Sequence, residues 1–323
     1  MNLVLAVDLG GTKIYSALVG PGERILRRDV RPTEAALGQK RVIANILASL
    51  EAVTPAGPLR EGAVMALGVG APGPLDPVTG RIIFAPNLQW RNVNLKEILQ
   101  DALGLPVFLE NDANLAALAE HLYGAGRGHD HIVYITVSTG VGGGLILNGD
   151  IYSGAFGGAG EIGHMVVAPG GPACSCGNRG CLEAVASGRA IKQRAMELIA
   201  AGNGNKILQV AGGSPEEVDA PAVTRAAQEG DPEAKEILET AGRYLGMAIA
   251  NICTLLNPSL FVVGGGVARG AGMLLLDPVE KEAHLRVLPA FRESLKIVPA
   301  ALLGRAGVLG AAAYARRKLA ERG

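Results

Sequence analysis

Three of the chain's four cysteines lie in one short run, Cys174-Ser175-Cys176-Gly177-Asn178-Arg179-Gly180-Cys181, and His164 precedes this run by ten residues. Three thiolates and one imidazole complete the tetrahedral ligand set of zinc and leave no position open for water, which favours a structural metal over a catalytic one. Gly177 and Gly180 suit a loop that folds back on itself, because glycine adopts positive φ. We predict a structural zinc bound by His164, Cys174, Cys176 and Cys181. The alternatives are a chance cluster or a disulfide with a spare thiol.

Two carboxylates flank this cluster. Glu161 lies three residues before His164, and Glu183 lies two residues after Cys181. A metal that ties these segments together would bring both carboxylates to one place. The second ring nitrogen of His164 would then point towards a ligand, since metal-bound histidines usually donate that N–H outward. The alternative is that both carboxylates are solvated loop residues.

Two glycine-rich loops follow apolar runs that predict buried strands. The first is Asp8-Leu9-Gly10-Gly11-Thr12-Lys13, and the second is Ser138-Thr139-Gly140-Val141-Gly142-Gly143-Gly144. Backbone N–H groups in such turns can face a phosphate, and Asp8 could hold Mg²⁺ through waters. The alternative for the first loop is a simple hairpin turn, because glycine is common in turns. Two such loops in one chain fit a reaction that passes a phosphate from a donor to an acceptor.

A third polar run, Glu110-Asn111-Asp112-Ala113-Asn114, lies where a predicted strand gives way to a predicted helix. A carboxylate at the C-terminal end of a strand is where α/β folds bind their ligands. Asp112 could there accept a proton from a substrate hydroxyl. The alternative is that Asp112 caps the helix, since Asn and Asp are preferred N-caps.

Strands and helices alternate along the chain, which predicts an α/β fold. The predicted strands are 3–7, 14–19, 25–30, 64–69, 107–109, 132–137, 145–147 and 260–263. The predicted helices are 37–53, 95–103, 113–123, several within 182–256, and 307–319. A strand, a glycine-rich loop and a second strand occur twice, at Asp8 and at Ser138, which suggests an internal duplication.

Composition narrows the class of protein. The chain has 323 residues, of which 49% are hydrophobic and 19% charged, so it is long enough for two domains with their own cores. Its formal net charge is zero, which predicts no nucleic-acid partner. We find no basic leader and no run of about 18 apolar residues, so we expect neither a signal peptide nor a membrane span. Free thiols used for zinc indicate a cytoplasmic protein, and Cys253 is predicted to be an inert core residue.

The motifs together resemble those of the ROK family of bacterial sugar kinases, over residues 3–315. The segments that carry the resemblance are Asp8–Lys13, Ala71-Pro72-Gly73-Pro74, Pro86-Asn87-Leu88, Glu110–Asn114, Ser138–Gly144, Glu161–His164, Cys174–Glu183 and Gly264–Gly266. The cysteine run with its upstream E-x-G-H is highly specific, whereas the glycine loops alone are not. The resemblance implies an actin-like ATPase (ribonuclease H-like) fold, in which two α/β domains surround a cleft. It implies a small domain over 1–112, with a C-terminal helix at 307–323 that packs back on it, and a large domain over 113–306 that holds the zinc.

The resemblance also implies an activity, the transfer of the γ-phosphoryl group of ATP to the 6-hydroxyl of glucose with Asp112 as general base. The implied sugar contacts are Gly73, Asn87, Asn111, Asp112, Glu161, His164 and Glu183. The implied nucleotide contacts are Asp8, Gly10, Gly11, Thr12, Lys13, Thr139, Gly140, Gly265 and Gly266. ATP, Mg²⁺ and a structural Zn²⁺ are the expected cofactors, and the zinc would fix the loop that carries Glu161, His164 and Glu183.

Several alternatives stay open on the sequence alone. The sugar could be another hexose, such as N-acetylmannosamine, N-acetylglucosamine, allose or fructose, and the donor could be polyphosphate, although Gly264–Gly266 favours a nucleotide. A sugar-responsive transcriptional regulator is a further alternative. Such relatives carry an N-terminal helix-turn-helix domain, for which a first strand at residue 3 leaves no room. A homodimer or homotetramer is typical of the resemblance.

Overall fold

The computed structural model describes residues 3–54 and 63–322. Its contacts group the chain into two compact units. The first comprises Met1–Asp130, Gly144–Gly160 and Gly304–Gly323, and the second comprises His131–Gly143 and Glu161–Leu303. These units are defined by contacts alone, and the functional division predicted at residue 112 stays a prediction.

The elements alternate as an α/β fold requires, so the predicted fold class is confirmed at this level. The strands are β1 (Leu3–Leu9), β2 (Lys13–Val19), β3 (Ile25–Pro32), β4 (Val64–Ala71), β5 (Leu75–Asp76), β6 (Arg81–Ala85), β7 (Trp90–Val93), β8 (Val107–Asn111), β9 (Ile132–Val137), β10 (Val141–Leu147), β11 (Asp150–Ile151), β12 (Leu260–Gly264) and β13 (Ile297–Pro299). The helices are α1 (Gln39–Val53), α2 (Leu95–Leu103), α3 (Asp112–Tyr123), α4 (Leu182–Ala186), α5 (Gly188–Ala200), α6 (Asn205–Val210), α7 (Ala220–Gln228), α8 (Pro232–Leu256), α9 (Gly266–Ala271), α10 (Met273–Arg286) and α11 (Ala306–Ala320).

The first unit is built on a five-stranded sheet in the order β3-β2-β1-β4-β8. β1 and β2 form an antiparallel hairpin, whereas β1, β4 and β8 run parallel, with Val7 beside Val69 and Val69 beside Leu109. Val, Leu and Ala fill β1 and β4, which are buried along almost their whole length, as expected of strands covered on both faces. Because parallel strands end at the same edge, Asp8 and Asn111 are brought to one edge of the sheet.

Helix α11 lies on β1 and β4 and also packs against α3. Two glycines allow this close approach. A Cβ on Gly68 would overlap the carbonyl oxygen of Ala311, and a Cβ on Gly310 would overlap that of Leu115. The last helix therefore closes the core of the first unit, and small residues set its distance from the sheet.

The second unit contains three parallel strands, as the sheet of the first unit does. β9, β12 and β13 run parallel, with Val133 beside Phe261 and Val262 beside Val298. This matches β1, β4 and β8, and β9, like β1, runs into a glycine-rich turn and a further strand. The shared order agrees with the internal duplication predicted from the loops. Cys253 is buried within α8, in the position expected of a core residue.

The second glycine-rich loop is shorter than predicted. β10 begins at Val141, so Val141–Gly144 is strand and the turn is confined to Ser138–Gly140. The glycines there allow close packing rather than a loop, because a Cβ on Gly144 would lie 2.5 Å from the carbonyl oxygen of Ala113. Within the described residues, no helix has both the length and the apolar character needed to cross a bilayer.

Candidate active site

The first glycine-rich loop is the turn of the β1–β2 hairpin. The Gly10 N–H donates to the carbonyl oxygen of Lys13 at 2.9 Å, and the Thr33 hydroxyl donates to the Gly10 carbonyl oxygen at 2.7 Å. The Thr33 N–H also donates to the Thr12 carbonyl oxygen at 3.0 Å. The loop therefore forms a hairpin turn, which was the alternative interpretation of its sequence. Its Gly10 N–H is engaged inside the turn, so the N–H groups of Gly11 and Thr12 are the better candidates to face a phosphate.

This turn contacts the segment that holds Asn87. A Cβ on Gly11 would lie 2.9 Å from the Asn87 Cβ and 3.3 Å from its carbonyl oxygen, so glycine is required for the approach. Asn87 lies in a single 3₁₀ turn, Pro86–Leu88. One predicted phosphate residue and one predicted sugar residue are thus direct neighbours within the first unit.

Asp8 lies at the end of β1 beside the first turn of α11, where a Cβ on Gly307 would overlap its carboxylate. Burial raises the pKa of the Asp8 carboxyl, and the Lys13 ammonium partly opposes this. A divalent cation would favour the ionised form of this carboxylate, and the Mg²⁺ role of Asp8 stays a prediction.

Asn111 and Asp112 have separate local roles. The Asn111 side chain is the N-cap of α3, since its Oδ1 accepts from the N–H groups of Ala113 at 2.9 Å and Asn114 at 3.2 Å. Asp112 is the first residue of the helix, and its Oδ1 accepts from the Ala113 N–H at 2.8 Å. The capping alternative therefore applies to Asn111. Gly73 adjoins this cap, because a Cβ on it would lie 3.3 Å from the Asn111 Nδ2.

Glu110, the residue before the cap, is 2% exposed. Its Oε1 accepts from the Asn111 N–H at 2.8 Å and from the Asn114 Nδ2 at 3.0 Å. Burial raises the pKa of the Glu110 carboxyl, and these hydrogen bonds only partly oppose the shift. Glu110 therefore fixes the start of α3 through its hydrogen bonds to Asn111 and Asn114. The sequence analysis did not assign this role.

In the second unit, Glu183 binds the Ser138–Gly140 turn. Its Oε2 accepts from the Val141 N–H at 3.0 Å, and its Oε1 lies 2.7 Å from the Arg189 Nη2. A Cβ on Gly140 would overlap the Glu183 carboxylate. Glu183 is only 14% exposed at its side chain. The structure thus gives Glu183, a predicted sugar contact, a second role, because its carboxylate also holds the Ser138–Gly140 turn.

Glu161 and His164 lie at the two ends of one short turn. The His164 Nε2 is 4.0 Å from the Glu161 Oε2. Partial burial raises the pKa of the Glu161 carboxyl, the His164 ring opposes this, and the nearby Glu183 carboxylate adds to it. Gly163, between them, is required because a Cβ there would overlap the Val141 carbonyl oxygen. Glu161, His164 and Glu183 are therefore neighbours, as predicted.

The four predicted zinc ligands converge. The ligand atoms of His164, Cys174, Cys176 and Cys181 all lie within 4.8 Å of one another. The Cys174 Sγ is 3.6 Å from the His164 Nδ1, and the Cys176 Sγ is 3.7 Å from the Cys181 Sγ. A tetrahedron with Zn–S bonds of about 2.3 Å has edges of about 3.8 Å, so these residues fit zinc. Burial, followed by the neighbouring thiols, raises the pKa of Cys181 to about 12, so a bound cation is needed to make all three groups thiolates.

The backbone around the cluster connects it to Glu183. The N–H groups of Val167 and Ala168 donate to the Gly180 carbonyl oxygen at 3.0 and 3.1 Å. Gly180 has φ of +71°, which favours glycine. Cys181 then serves as the N-cap residue of α4, and Glu183 lies in the first turn of that helix. A metal at Cys181 would therefore fix the helix that carries Glu183.

A pocket of about 590 Å³ lies beside the Ser138–Gly140 turn. Gly265 has φ of +95° and its backbone touches that of Val137, while Gly266 begins α9 near the Ser138 hydroxyl. The pocket is lined by Ser138, Thr139, Gly188, Arg189, Lys192, Asp219, Ala220, Pro221, Thr224, Arg225, Gln228, Gly266, Val267, Arg269 and Gly270. Its size suits a nucleotide. Of the predicted nucleotide contacts in the second unit, Thr139 and Gly266 line it, whereas Gly140 and Gly265 are not among its lining residues.

The predicted residues fall into both units. Gly73, Asn87, Asn111 and Asp112 belong to the first, and Glu161, His164 and Glu183 belong to the second. The sequence analysis missed the positioning roles of Thr33, Glu110 and Arg189, which hold Gly10, Asn111 and Glu183 respectively. Only Glu110 carried a signal, since it adjoins Asn111 and Asp112 in the same polar run.

Comparison with known proteins gives matches over almost the whole chain. Residues 4–318 match the model of the ROK family. The glucokinase of Thermotoga maritima is 38% identical over 317 residues, which cover 98% of each chain. A putative xylose repressor of a Caldicellulosiruptor species is 31% identical and covers 97% of this chain, while the match spans 78% of the repressor.

Solved structures give the same result. The crystal structure of a ROK family glucokinase from Streptomyces griseus in complex with glucose and AMPPNP aligns with a TM-score of 0.86 and 38% identity. The alignment covers 98% of this chain and 100% of the Streptomyces griseus chain. This likeness confirms the predicted actin-like ATPase fold class with two domains.

Proposed function

This chain belongs to the ROK family, and we propose that it is a glucokinase, which transfers the γ-phosphoryl group of ATP to the 6-hydroxyl of glucose. The observation that carries the proposal is the contact between the phosphate turn at Gly11 and the amide-bearing segment at Asn87. The same sheet edge presents Asp112 at the start of α3. Similarity to glucokinases over 98% of the chain supports the choice of glucose.

Asp112 acts as the general base in this proposal. Asn111 supplies the side-chain cap of α3, and the Asp112 carboxylate, whose Oδ1 accepts from the Ala113 N–H, takes the proton of the 6-hydroxyl. The N-terminus of α3 favours a negative charge at this position, and general base catalysis needs the carboxylate ionised. Asn87, Asn111 and Gly73 bind and orient the sugar from the first unit.

Glu161, His164 and Glu183 hold the remaining sugar hydroxyls. Carboxylates accept hydrogen bonds from hydroxyls, while an imidazole N–H donates to them, so the set can fix a polyol in one orientation. The Nδ1 of His164 faces Cys174, which leaves its Nε2 on the side of Glu161. His164 can therefore bind a metal with one nitrogen and a hydroxyl with the other.

Thr139, Gly140, Gly265 and Gly266 bind the nucleotide in the second unit, and Gly11 and Thr12 face phosphate in the first. Mg²⁺ near Asp8 would neutralise charge on the transferred phosphoryl group. Zn²⁺ at His164, Cys174, Cys176 and Cys181 has a structural role, because four protein ligands leave no position for water. We also expect a homodimer or homotetramer, and no nucleic-acid partner.

The proposal is tested by a panel of hexoses with ATP and Mg²⁺, ranked by kcat/KM from ADP release. Glucose should rank first, ahead of N-acetylmannosamine, N-acetylglucosamine, allose and fructose. Replacing ATP by polyphosphate tests the donor in the same assay. A folded, zinc-replete protein that turns over none of these sugars would refute the enzyme proposal and favour a sugar-responsive regulator.

A further inference from the structure

The edge strand β3 carries an unusual concentration of arginine. A pocket of about 570 Å³ is lined by Tyr15, Glu23, Arg24, Ile25, Leu26, Arg27, Arg28 and Arg305. Four guanidinium groups and one carboxylate give this pocket a formal charge of +3, on a chain whose formal net charge is zero. The pocket lies within the first unit and includes none of the residues assigned to sugar, nucleotide or zinc.

Seven other arginines of the described residues bind carboxylate or carbonyl oxygens, whereas Arg127, Arg225 and Arg269, like these four, have no carboxylate partner. Arg31, Arg41, Arg189, Arg194, Arg286 and Arg317 each form an ion pair with a carboxylate. Arg316 donates to the carbonyl oxygens of Val19, Gly20 and Gly22. By contrast, over 3–54 and 63–322 no carboxylate pairs with Arg24, Arg27, Arg28 or Arg305. Like charges held around one pocket repel, and a bound anion would relieve that repulsion.

Tyr15 supplies an independent observation. Its side chain is 6% exposed, and its phenol oxygen is buried without a hydrogen-bond partner in the part of the chain that the structure describes. A buried hydroxyl without a partner is costly, so such groups are usually satisfied by protein, water or ligand. Arg28 pairs with Ala17 across β2, and therefore lies on the same face of the sheet as Tyr15. The phenol and the Arg28 guanidinium thus lie on one face and line the same pocket, whereas Arg27, paired with Leu18, lines the pocket from the other face.

We propose that this pocket binds a small anion that carries two or more phosphate groups. Guanidinium groups bind phosphate oxygens in pairs through planar N–H forks, and several of them can hold a chain of phosphates. The phenol O–H donates one further hydrogen bond. Partly exposed Ile25 and Leu26 border the site, so the anion can carry a small apolar part. A volume of about 570 Å³ is within the range of small-molecule sites.

The site adjoins the catalytic machinery without belonging to it. Tyr15 is the direct cross-strand partner of Asp8, so both side chains lie on one face of β1 and β2. An anion held by Tyr15 lies one strand away from the carboxylate that we assign to Mg²⁺. Arginines on an edge strand also hinder pairing between sheet edges, but that role needs neither a pocket nor a buried phenol beside it.

The test uses the full chain, with inorganic tripolyphosphate as the probe and arginine-selective modification by phenylglyoxal as the readout. Mass spectrometry then gives the extent of modification at each arginine. We expect tripolyphosphate to protect Arg24, Arg28 and Arg305, whereas NaCl at the same ionic strength does not. Arg31 is the matched control, because it lies on the same strand but pairs with Asp29 at 2.7 Å on the other face. Equal protection by NaCl, or equal protection of Arg31, would overturn the proposal.

Two variants give the affinity by calorimetry. Arg28→Gln should weaken tripolyphosphate binding at this site about tenfold or more, as expected for a lost charge-assisted pair. Tyr15→Phe keeps the ring and should weaken it by about three- to tenfold. Arg31→Gln should leave the affinity unchanged. If Tyr15→Phe and Arg28→Gln both bind tripolyphosphate as the unchanged protein does, the site does not exist, whatever the sugar kinase activity.

Discussion

Glu183 and Arg189 form an ion pair that joins two parts of the proposed active site, with the Glu183 Oε1 2.7 Å from the Arg189 Nη2. Glu183 belongs to the proposed sugar set and also accepts from the Val141 N–H, while Arg189 lines the proposed nucleotide pocket. The Glu183 carboxylate therefore belongs to the proposed sugar set and also holds the Ser138–Gly140 turn. Its position depends on Arg189, which is 52% exposed at its side chain.

We predict that Arg189→Ala lowers kcat/KM for ATP by about tenfold, because the Ser138–Gly140 turn loses the partner of its anchoring carboxylate. The free energy of unfolding should change by less than about 1 kcal/mol, since exposed ion pairs contribute little. Arg194→Ala is the matched control, because Arg194 pairs with Glu197 on the same helix. Steady-state kinetics in which both variants behave alike would contradict a role for Arg189.

Asp112→Asn should reduce turnover by about 10²–10⁴-fold and leave glucose binding nearly intact, because the amide keeps the shape but cannot take the proton. It should not uncap α3, since Asn111 is the cap. Asn111→Ala is the contrasting variant, and should cost about 1 kcal/mol of stability. Calorimetric loss of glucose binding in Asp112→Asn would make Asp112 a binding residue instead of the base.

We predict one zinc per chain, measurable by elemental analysis of the purified protein. Cys176→Ala should lose the metal, because a tetrahedral thiolate site does not tolerate the loss of one ligand. Cys253→Ala should retain it, since Cys253 is buried in α8 and is not among the four clustered ligands. Full metal content in Cys176→Ala would disprove the ligand set.

Glucose should slow the release of zinc to a chelator. The Nε2 of His164 lies on the side of Glu161, and Cys181 directly precedes the helix that carries Glu183, so the proposed metal and sugar ligands lie in the same segments. Linked binding is reciprocal, and loss of zinc should therefore weaken glucose binding more than nucleotide binding. The measurement is the rate and extent of release, with and without saturating glucose, while circular dichroism confirms that the protein stays folded. Identical release in both conditions would show that the two sites are independent.

Glu110→Gln should make the protein more tolerant of high pH. Burial raises the pKa of Glu110 in the folded state, so its contribution to stability is fully present below the unfolded value of about 4.3 and is lost as the pH rises through the folded value. Glutamine keeps the acceptor for the Asn111 N–H and carries no charge. The thermal midpoint of Glu110→Gln, relative to the unchanged protein, should rise between pH 5 and pH 8.

Glu197→Gln is the control for this measurement, because Glu197 is half exposed, at 50% of its side chain. Its thermal midpoint should follow that of the unchanged protein across the same pH range. A relative midpoint for Glu110→Gln that is flat or falls with pH would contradict the assignment of a raised pKa to this carboxyl.

The local features of the site could be predicted from the sequence. The predicted zinc ligands are close in sequence and chemically distinctive, so Cys174, Cys176 and Cys181 predict a metal site. In the structure, the ligand atoms of these cysteines and of His164 lie within 4.8 Å of one another. Asp8 and Asn111 were found because apolar strands end just before them. The α/β class followed from the same buried runs.

The remaining features depend on how the chain folds. Arg189 follows Glu183 by only six residues, but the two lie in separate helices, α4 and α5, and their pairing depends on the bend between them. Thr33 binds Gly10 across 23 residues of sequence, and nothing near Thr33 in the chain indicates this contact. Val141–Gly144 looks like a loop because glycine is common in turns, whereas here the missing Cβ allows a strand to pack closely. Glycine thus has two physical uses that composition alone does not separate.

The position of α11 has a consequence for the order in which the protein is completed. β1 and β4 are synthesised before α11, yet the face of β4 at Gly68 is covered by the backbone of Ala311 in α11. Most of the second unit, by contrast, is one continuous stretch, Glu161–Leu303. Domains fold largely as units while the chain emerges from the ribosome. β1 and β4 can therefore be fully buried only after α11 has been synthesised, by which time the long continuous stretch of the second unit has already been made.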